Sequence, residues 1–330
     1  MRPPPVLVQT ARSLWHCAWR QLMNGLGPAD AEGRYRRPAA AFAAVPPLPE
    51  EAGEPGAHVL IVGRSCPWAH RAWLTWTLRG LGGSIDLLVV EPDPRAGRWR
   101  FPEPFEGYGT LQQLYRASGA AASAPASVPA LWSRRRRTIL VNESARLIEL
   151  LNVWPADGAP DLDPPGRGEE IRRWRTRLQD SVNDGVYRCG FARSQIAYDE
   201  AEAALTTSLE ALETTLDGAA ARGESWLCGP APTLADVVLF PTLIRLELVY
   251  APLFGCSRRP LWQLPALWRW RSRFFGLDGV AATCWPDAWR ADYFGALFPL
   301  HPSGIVPAGP ELATLVTDTP PRPAAPASPP

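Results

Sequence analysis

The chain has 330 residues, 46% of them hydrophobic and 20% charged, with a formal net charge of +1. That balance allows about two domains around a sizeable core, excludes a wholly disordered chain, and leaves no electrostatic footprint for a dedicated nucleic-acid binder. All 34 basic residues are arginine, which excludes chemistry that needs a lysine amine, and six cysteines are too sparse for a disulfide scaffold and point by default to the reducing cytoplasm.

In chain order, Leu14, Trp15, Ala18, Trp19 and Leu22 have helical spacing. A helix docked on the protein's own body is favoured over one lying on a membrane surface. Arg12 and Arg20 interrupt the segment, so a secretory signal is not expected. No uncharged apolar run reaches the roughly 18 residues that suggest a membrane span. Residues 27–56 are rich in Pro, Gly, Ala and Glu, so 1–56 reads as a helix plus an irregular extension. His58–Gly63 predicts a buried strand, Pro67–Gly80 a helix with proline in its first turn, and Ile85–Val90 a second buried strand. This β-α-β unit implies a parallel pair with a right-handed crossover. Residues 91–127 read as an interrupted insertion with one helical patch, Leu111–Ala117. Strands are predicted at 127–132 and 138–141, around a turn containing Arg134–Arg137. A helix follows to Leu151, with Asn142 as its cap.

The order over 57–153 fits a thioredoxin-like α/β domain. Residues 154–168 read as a linker by their Pro, Gly and Asp content. After them the periodicity is helical: 169–183, 197–218, 233–250 and 265–275, with Asp236 in the first turn of its helix. Residues 169–310 thus form an all-α domain. The tail 311–330 is Pro/Ala/Thr-rich and expected to be disordered.

The informative motif is Cys66-Pro-Trp-Ala-His-Arg71, directly after a strand and opening a helix. A sulfur there faces unpaired backbone N–H groups and the positive end of the helix dipole, which favour thiolate over thiol. Position 69 is alanine, so there is no C-x-x-C pair. A mixed disulfide at Cys66 must therefore be resolved by an external thiol. Val128-Pro129 opens a strand, where a thioredoxin-like sheet commonly has a cis proline facing the nucleophile; an ordinary edge-strand proline fits equally well. Glu143-Ser144 at a helix start is a carboxylate-and-ammonium site or simply a cap. Cys66 and His70, four apart, do not by themselves make a zinc site, so no metal is expected.

Together these stretches resemble the glutathione transferases, and specifically the glutathionyl-hydroquinone reductases of the xi class. The resemblance runs over CPWAHR (66–71), GRW (97–99), VPALW (128–132), TILVNES (138–144), NDGVYRCGFA (183–192), LADVVLFPTLIRLELVY (234–250) and HPSGIVPAGP (301–310). It implies a thioredoxin-like domain followed by an all-helical one, with Cys66 forming a mixed disulfide with glutathione that a second glutathione resolves. It also implies that Trp99, Val128, Pro129, Glu143 and Ser144 hold glutathione, and that Tyr187 and Tyr293 line the quinol pocket and assist proton transfer. No cofactor is implied, since glutathione enters as co-substrate. The partners expected are glutathione and glutathionyl-hydroquinones, with no nucleic acid and no membrane, in a homodimer. Asp292 stands where the family usually has histidine, and the stretch between Trp99 and Leu111 is short.

Two other functions fit parts of the pattern. An omega- or lambda-like thioltransferase or dehydroascorbate reductase would keep Cys66 and change the substrate. A non-catalytic binder of glutathione conjugates or hydrophobic ligands would exploit the 15 tryptophans.

Overall fold

The computed structural model describes residues 4–44, 46–93 and 97–321. Helix α1 (Pro5–Leu26) forms as its spacing predicts, but it does not dock along its length. Only Met23 is buried, with Trp19 and Leu26 packed part-way against the core. Arg193 holds this end by donating to the carbonyls of Met23 and Gly27. Leu7, Val8, Leu14 and Leu22 stay exposed. Trp15 meets only the edge of Phe298, with ring centroids 6.3 Å apart. The expectation of a docked helix is therefore corrected to one pinned by its last turn.

Strand β1 (His58–Gly63) is buried at every position. It pairs in parallel with β2 (Ile85–Asp93) after the crossover helix α2 (Pro67–Leu78). The insertion holds more structure than expected. Strands β3 (Arg98–Phe105) and β4 (Tyr108–Thr110) extend the sheet antiparallel beyond β2. Pro102 and Pro104 hid β3, because proline cannot donate to a ladder. They fall in the irregular stretch between the paired residues Arg100 and Phe105, where no donor is needed. Helix α3 (Leu111–Ala117) starts on a Thr110/Gln113 capping box.

Strands β5 (Ala130–Ser133) and β6 (Thr138–Val141) complete the sheet, in the order β4-β3-β2-β1-β5-β6. The arginine turn between them is ion-paired: Arg134 reaches Asp86 at 2.6 Å, and Arg137 reaches Glu106 at 3.1 Å. Helix α4 (Ser144–Asn152) is capped by Glu143 rather than Asn142. Asn142 is occupied elsewhere, accepting from the Phe42 amide and donating to Tyr115 Oη and Ser127 Oγ. The linker is packed: Trp154 and Leu162 are fully buried, and Arg79 donates to the carbonyls of Trp154 and Pro160.

The helical domain follows the predicted pattern with breaks. Helix α5 (Gly168–Leu178) passes into a π-helical turn over Gln179–Asn183 and then α6 (Gly185–Gly190), where one helix to 183 was expected. Helix α7 (Gln195–Ala221) is long and regular. Helix α8 (Leu234–Leu243) gives way to a π-turn at Leu246–Tyr250 and α9 (Ala251–Phe254). By length and composition alone Leu234–Phe254 is apolar enough to cross a membrane, yet 78% of its most apolar 18-residue window is buried inside this fold. Asp236 sits in the first turn as predicted. It accepts from the Thr233 and Leu227 amides, from Thr233 Oγ1 and from Trp270 Nε1.

Helix α10 (Pro265–Phe275) matches its predicted bounds. Helix α11 (Pro286–Ala296) was not foreseen. The tail does not become irregular at 311. A short α12 (Leu312–Leu315) buries Leu315, while Arg271 and Trp268 of α10 donate to the carbonyls of Leu315 and Thr317 at 2.6 and 2.7 Å. The rest of the predicted disordered tail, 322–330, lies outside the described residues.

Candidate functional site

Gly63 ends β1 under the ring of Trp99. A Cβ there would come within 2.7 Å of that ring, so only glycine fits the close approach. The chain then turns and starts α2 with Cys66 at the N-cap and Pro67 at N1, as the motif predicts. The Val128–Pro129 bond is cis, and Cys66 Sγ donates to the Val128 carbonyl at 3.4 Å. Cys66 is half-buried and lines a cavity of about 260 Å³ together with Trp68, Trp99, Tyr187, Asp292 and Tyr293.

The charge state of the sulfur corrects the expectation from sequence. Burial is the largest influence and pushes the Cys66 thiol up. Backbone hydrogen bonds from Ala69 and Trp68 and the positive charges of Arg245 and Arg37 oppose it without overcoming it. The helix start favours thiolate, but in the ligand-free chain the loss of water wins. The thiolate fraction grows as pH rises through a value above that of an ordinary thiol. Alkylation of Cys66 in the ligand-free protein should therefore have its pH midpoint above that of free cysteine. A midpoint near neutrality, measured by intact mass against time, would contradict this.

Tyr187 from α6 and Tyr293 from α11 meet at their hydroxyls. Tyr250, in the π-turn after α8, adds a third hydroxyl 3.3 Å from Tyr293. Burial raises all three phenols, those of Tyr187 and Tyr293 well above the ordinary value, so each stays protonated through neutral pH. The ring of Tyr187 stacks on Trp68 with centroids 5.9 Å apart. Sequence reasoning missed Tyr250, because an apolar helical run gives no sign of which tyrosine turns inward. Asp292 also lines the cavity; burial raises its carboxyl, and a hydrogen bond from Ser65 lowers it.

Beside the cysteine lies a charged recess. Arg37 and Arg71 place their guanidinium carbons 4.0 and 4.6 Å from the Trp68 ring centre. Arg37 also approaches Glu143 at 3.7 Å and Asp184 at 4.0 Å. Burial and the neighbouring Arg37 bring Arg71 down to about 9. One oxygen of Glu143 accepts from the Ala145 amide, so this carboxylate caps its own helix while facing Arg37. Ser144 is 1% exposed, and its hydroxyl is buried without a hydrogen-bond partner. An orphan hydroxyl at the start of a nine-residue helix, next to the Glu143 that faces Arg37, suits a carboxylate. Gly33–Arg37 is the one suggestive piece of the extension in the sequence, but a charged run gives no sign that Arg37 reaches the site. Of the residues singled out from sequence, Cys66, Trp99, Tyr187 and Tyr293 share the cavity, and Glu143 and Ser144 share the recess. Among the described residues no group of three His, Cys, Asp or Glu side chains is placed to hold a metal.

Comparison with known proteins gives the family and the fold. The model of the glutathione S-transferase N-terminal domain matches residues 65–153, and that of the C-terminal domain matches 195–273. The glutathionyl-hydroquinone reductase PcpF of Sphingobium chlorophenolicum is 36% identical over 268 residues, covering 78% of this chain and 84% of that protein. The glutathionyl-hydroquinone reductase YqjG of Escherichia coli is 33% identical over 322 residues, covering 92% and 95%. The crystal structure of the xi glutathione S-transferase from Phanerochaete chrysosporium superposes with a TM-score of 0.78 at 31% identity, covering 86% of this chain and 94% of that one.

Proposed function

Because this chain belongs to the glutathione S-transferase family, and within it to the glutathionyl-hydroquinone reductases, we propose that it removes glutathione from glutathionyl-hydroquinones reductively, with Cys66 as nucleophile. The observation that carries this is one cavity holding a thiol at a helix start opposite two joined phenols.

The Cys66 thiolate attacks the sulfur of the thioether. A disulfide forms between Cys66 and glutathione as the bond from that sulfur to the ring breaks. The electron pair of the broken bond stays on the ring carbon, which takes a proton from the tyrosine hydroxyls. A second glutathione, as thiolate, attacks the glutathione sulfur of the mixed disulfide. Glutathione disulfide leaves and the Cys66 thiolate returns. Two electrons pass to the ring, one from the thioether sulfur and one from the sulfur of the second glutathione, and the second glutathione's proton replaces the one the phenols gave.

Trp99, Val128, Pro129, Glu143 and Ser144 hold glutathione in this scheme, with Arg37 and Arg71 facing its carboxylates. Ser144→Ala should raise the KM for glutathione roughly tenfold with little change in kcat, since the hydroxyl hydrogen-bonds a charged group only in the complex. Thermal stability should not fall, because the free protein loses an unpaired buried polar atom. An unchanged KM would remove Ser144 from the binding site. The same proposal brings a homodimer in the cytoplasm, which sedimentation and fractionation test. It is tested directly by following free hydroquinone from a glutathionyl-hydroquinone and glutathione. A faster rate on dehydroascorbate or on mixed disulfides would favour the omega- or lambda-like alternative.

A further inference from the structure

Arg245 follows α8 and points its side chain back beneath the turn that carries Cys66. It is completely buried. Its donors are used on neutral acceptors: Nη1 on the Pro241 carbonyl and His70 Nδ1, both at 2.9 Å, and Nη2 on the Arg64 carbonyl at 3.4 Å. Its guanidinium lies 4.0 Å from the centre of the Trp289 ring, whose Nε1 donates to the same Arg64 carbonyl at 2.9 Å. Among the described residues it forms no ion pair. The nearby acid in its own segment, Glu247, pairs with Arg271 at 2.7 Å.

His70 cannot supply a counter-charge. Its Nδ1 accepts from Arg245, so its Nε2 carries the proton and donates to Thr283 Oγ1 at 2.7 Å. Thr283 in turn donates to the Val280 carbonyl at 2.7 Å. Burial and the adjacent guanidinium hold this imidazole well below its usual value, hence neutral.

A fully buried cation without a carboxylate is strongly unfavourable unless an anion is present for part of the protein's cycle. Under the reaction proposed above, that anion is at hand. Arg245 braces both sides of the nucleophile, through Arg64 two residues before Cys66 and through His70 four residues after it. We propose that Arg245 is the fixed counter-cation of the site, a positioning residue against whose charge the Cys66 sulfur ionises.

The groups that face Cys66 fit this role. From α2 come the amides of Trp68 and Ala69; from the N-terminal extension, Arg37; from α3, Tyr115; from α6, Tyr187; from the π-turn after α8, Tyr250; and from α11, Asp292 and Tyr293. The phenols and Asp292 are neutral or negative. Arg37 is shared with Glu143 and Asp184. Of the two cations that act on the sulfur, Arg245 has no ion-pair partner among the described residues.

The test rests on the proposed function only for its meaning, because its readout is thiol alkylation in the ligand-free full chain, without turnover. On a Cys17→Ser background, which removes the exposed thiol, the pH dependence of Cys66 alkylation is followed by mass spectrometry. Arg245→Gln should move the midpoint to higher pH and slow alkylation at neutral pH by about tenfold or more. Arg245→Lys keeps the charge and should remain within about threefold of the parent protein. An unmoved midpoint in Arg245→Gln overturns the proposal, as does a shift in Arg245→Lys as large as that in Arg245→Gln. Should Arg245→Gln fail to fold, Cys284→Asp gives the same decision with Arg245 retained. Burial is the largest influence on the half-buried Cys284 and the guanidinium's charge opposes it, so the midpoint is read at pH values where a carboxylate there is ionised and neutralises Arg245. The Cys66 midpoint should again rise. A midpoint that stays in place overturns the proposal.

Discussion

Cys66→Ser is expected to abolish release of hydroquinone from a glutathionyl-hydroquinone, by at least about a thousandfold, while the protein still folds. The reason is the identity of the atom. The scheme needs an acceptor that forms a sulfur–sulfur bond and gives it up again to a second thiol. A serine oxygen at the same N-cap is not ionised at working pH and forms no disulfide. The fold should tolerate the change, since a serine hydroxyl can donate to the Val128 carbonyl as the thiol does. Intact mass supplies the second arm. The parent protein exposed to substrate without free glutathione should gain one glutathione, and the serine variant none. An adduct on another cysteine, or turnover that survives the substitution, would remove Cys66 from the chemistry. Loss of turnover with binding retained is the expected pattern. In the proposed scheme glutathione is held by the recess around Arg37, Glu143 and Ser144, so its affinity should not depend on the sulfur alone.

How much of this was legible in the sequence depended on how local the cause was. The strand, the Cys66-Pro67 helix start and the helices α7 and α10 follow from periodicity and capping within a few residues. The cis bond at Pro129 was one of two outcomes the dipeptide allowed. The ionisation of Cys66 was misjudged because its main cause is burial under elements far away in the chain, including α6 and α11. Strands β3 and β4 were hidden by prolines and glycines that usually punctuate, yet fall here between ladder pairs. Helix α11 starts at a Trp285-Pro286 step that resembles a loop, although proline at N1 also opens a helix. Arg245 and Tyr250 lie within the 234–250 stretch and Arg37 within a charged run, but nothing local assigns any of them a role. Their importance comes from where the fold brings them, and Arg245 in particular looks from sequence like one more charge in an apolar helix.

The second large effect is expected at the phenols. Three hydroxyls are joined by two hydrogen bonds, with Tyr293 in the middle. Tyr250 is fully buried and does not line the cavity, whereas Tyr187 and Tyr293 do. Two orderings leave a donor facing the substrate. In one, Tyr293 accepts from Tyr250 and donates to Tyr187, whose own O–H is then free. In the other, Tyr293 accepts from both neighbours and turns its own O–H to the cavity. Tyr250 donates to Tyr293 in both, so it supports the proton donor without being it. Phenylalanine keeps the stacking on Trp68 and the packing of the cluster but removes the proton. Tyr187→Phe and Tyr293→Phe should each slow hydroquinone release, and the variant that removes the terminal donor should lose about a hundredfold to a thousandfold. Tyr250→Phe should cost less, and the double variant at 187 and 293 should be little worse than the poorer single one, because the hydroxyls act as a unit. Alkylation of Cys66 should be nearly unaffected, which separates proton donation from loss of the nucleophile. Because burial holds Tyr187 and Tyr293 well above the ordinary phenol value, the rate should climb with pH as Cys66 ionises, with no fall from phenol deprotonation until strongly alkaline solution. Phenylalanine variants within about twofold of the parent, or an early alkaline decline that vanishes in them, would mean the proton comes from water instead.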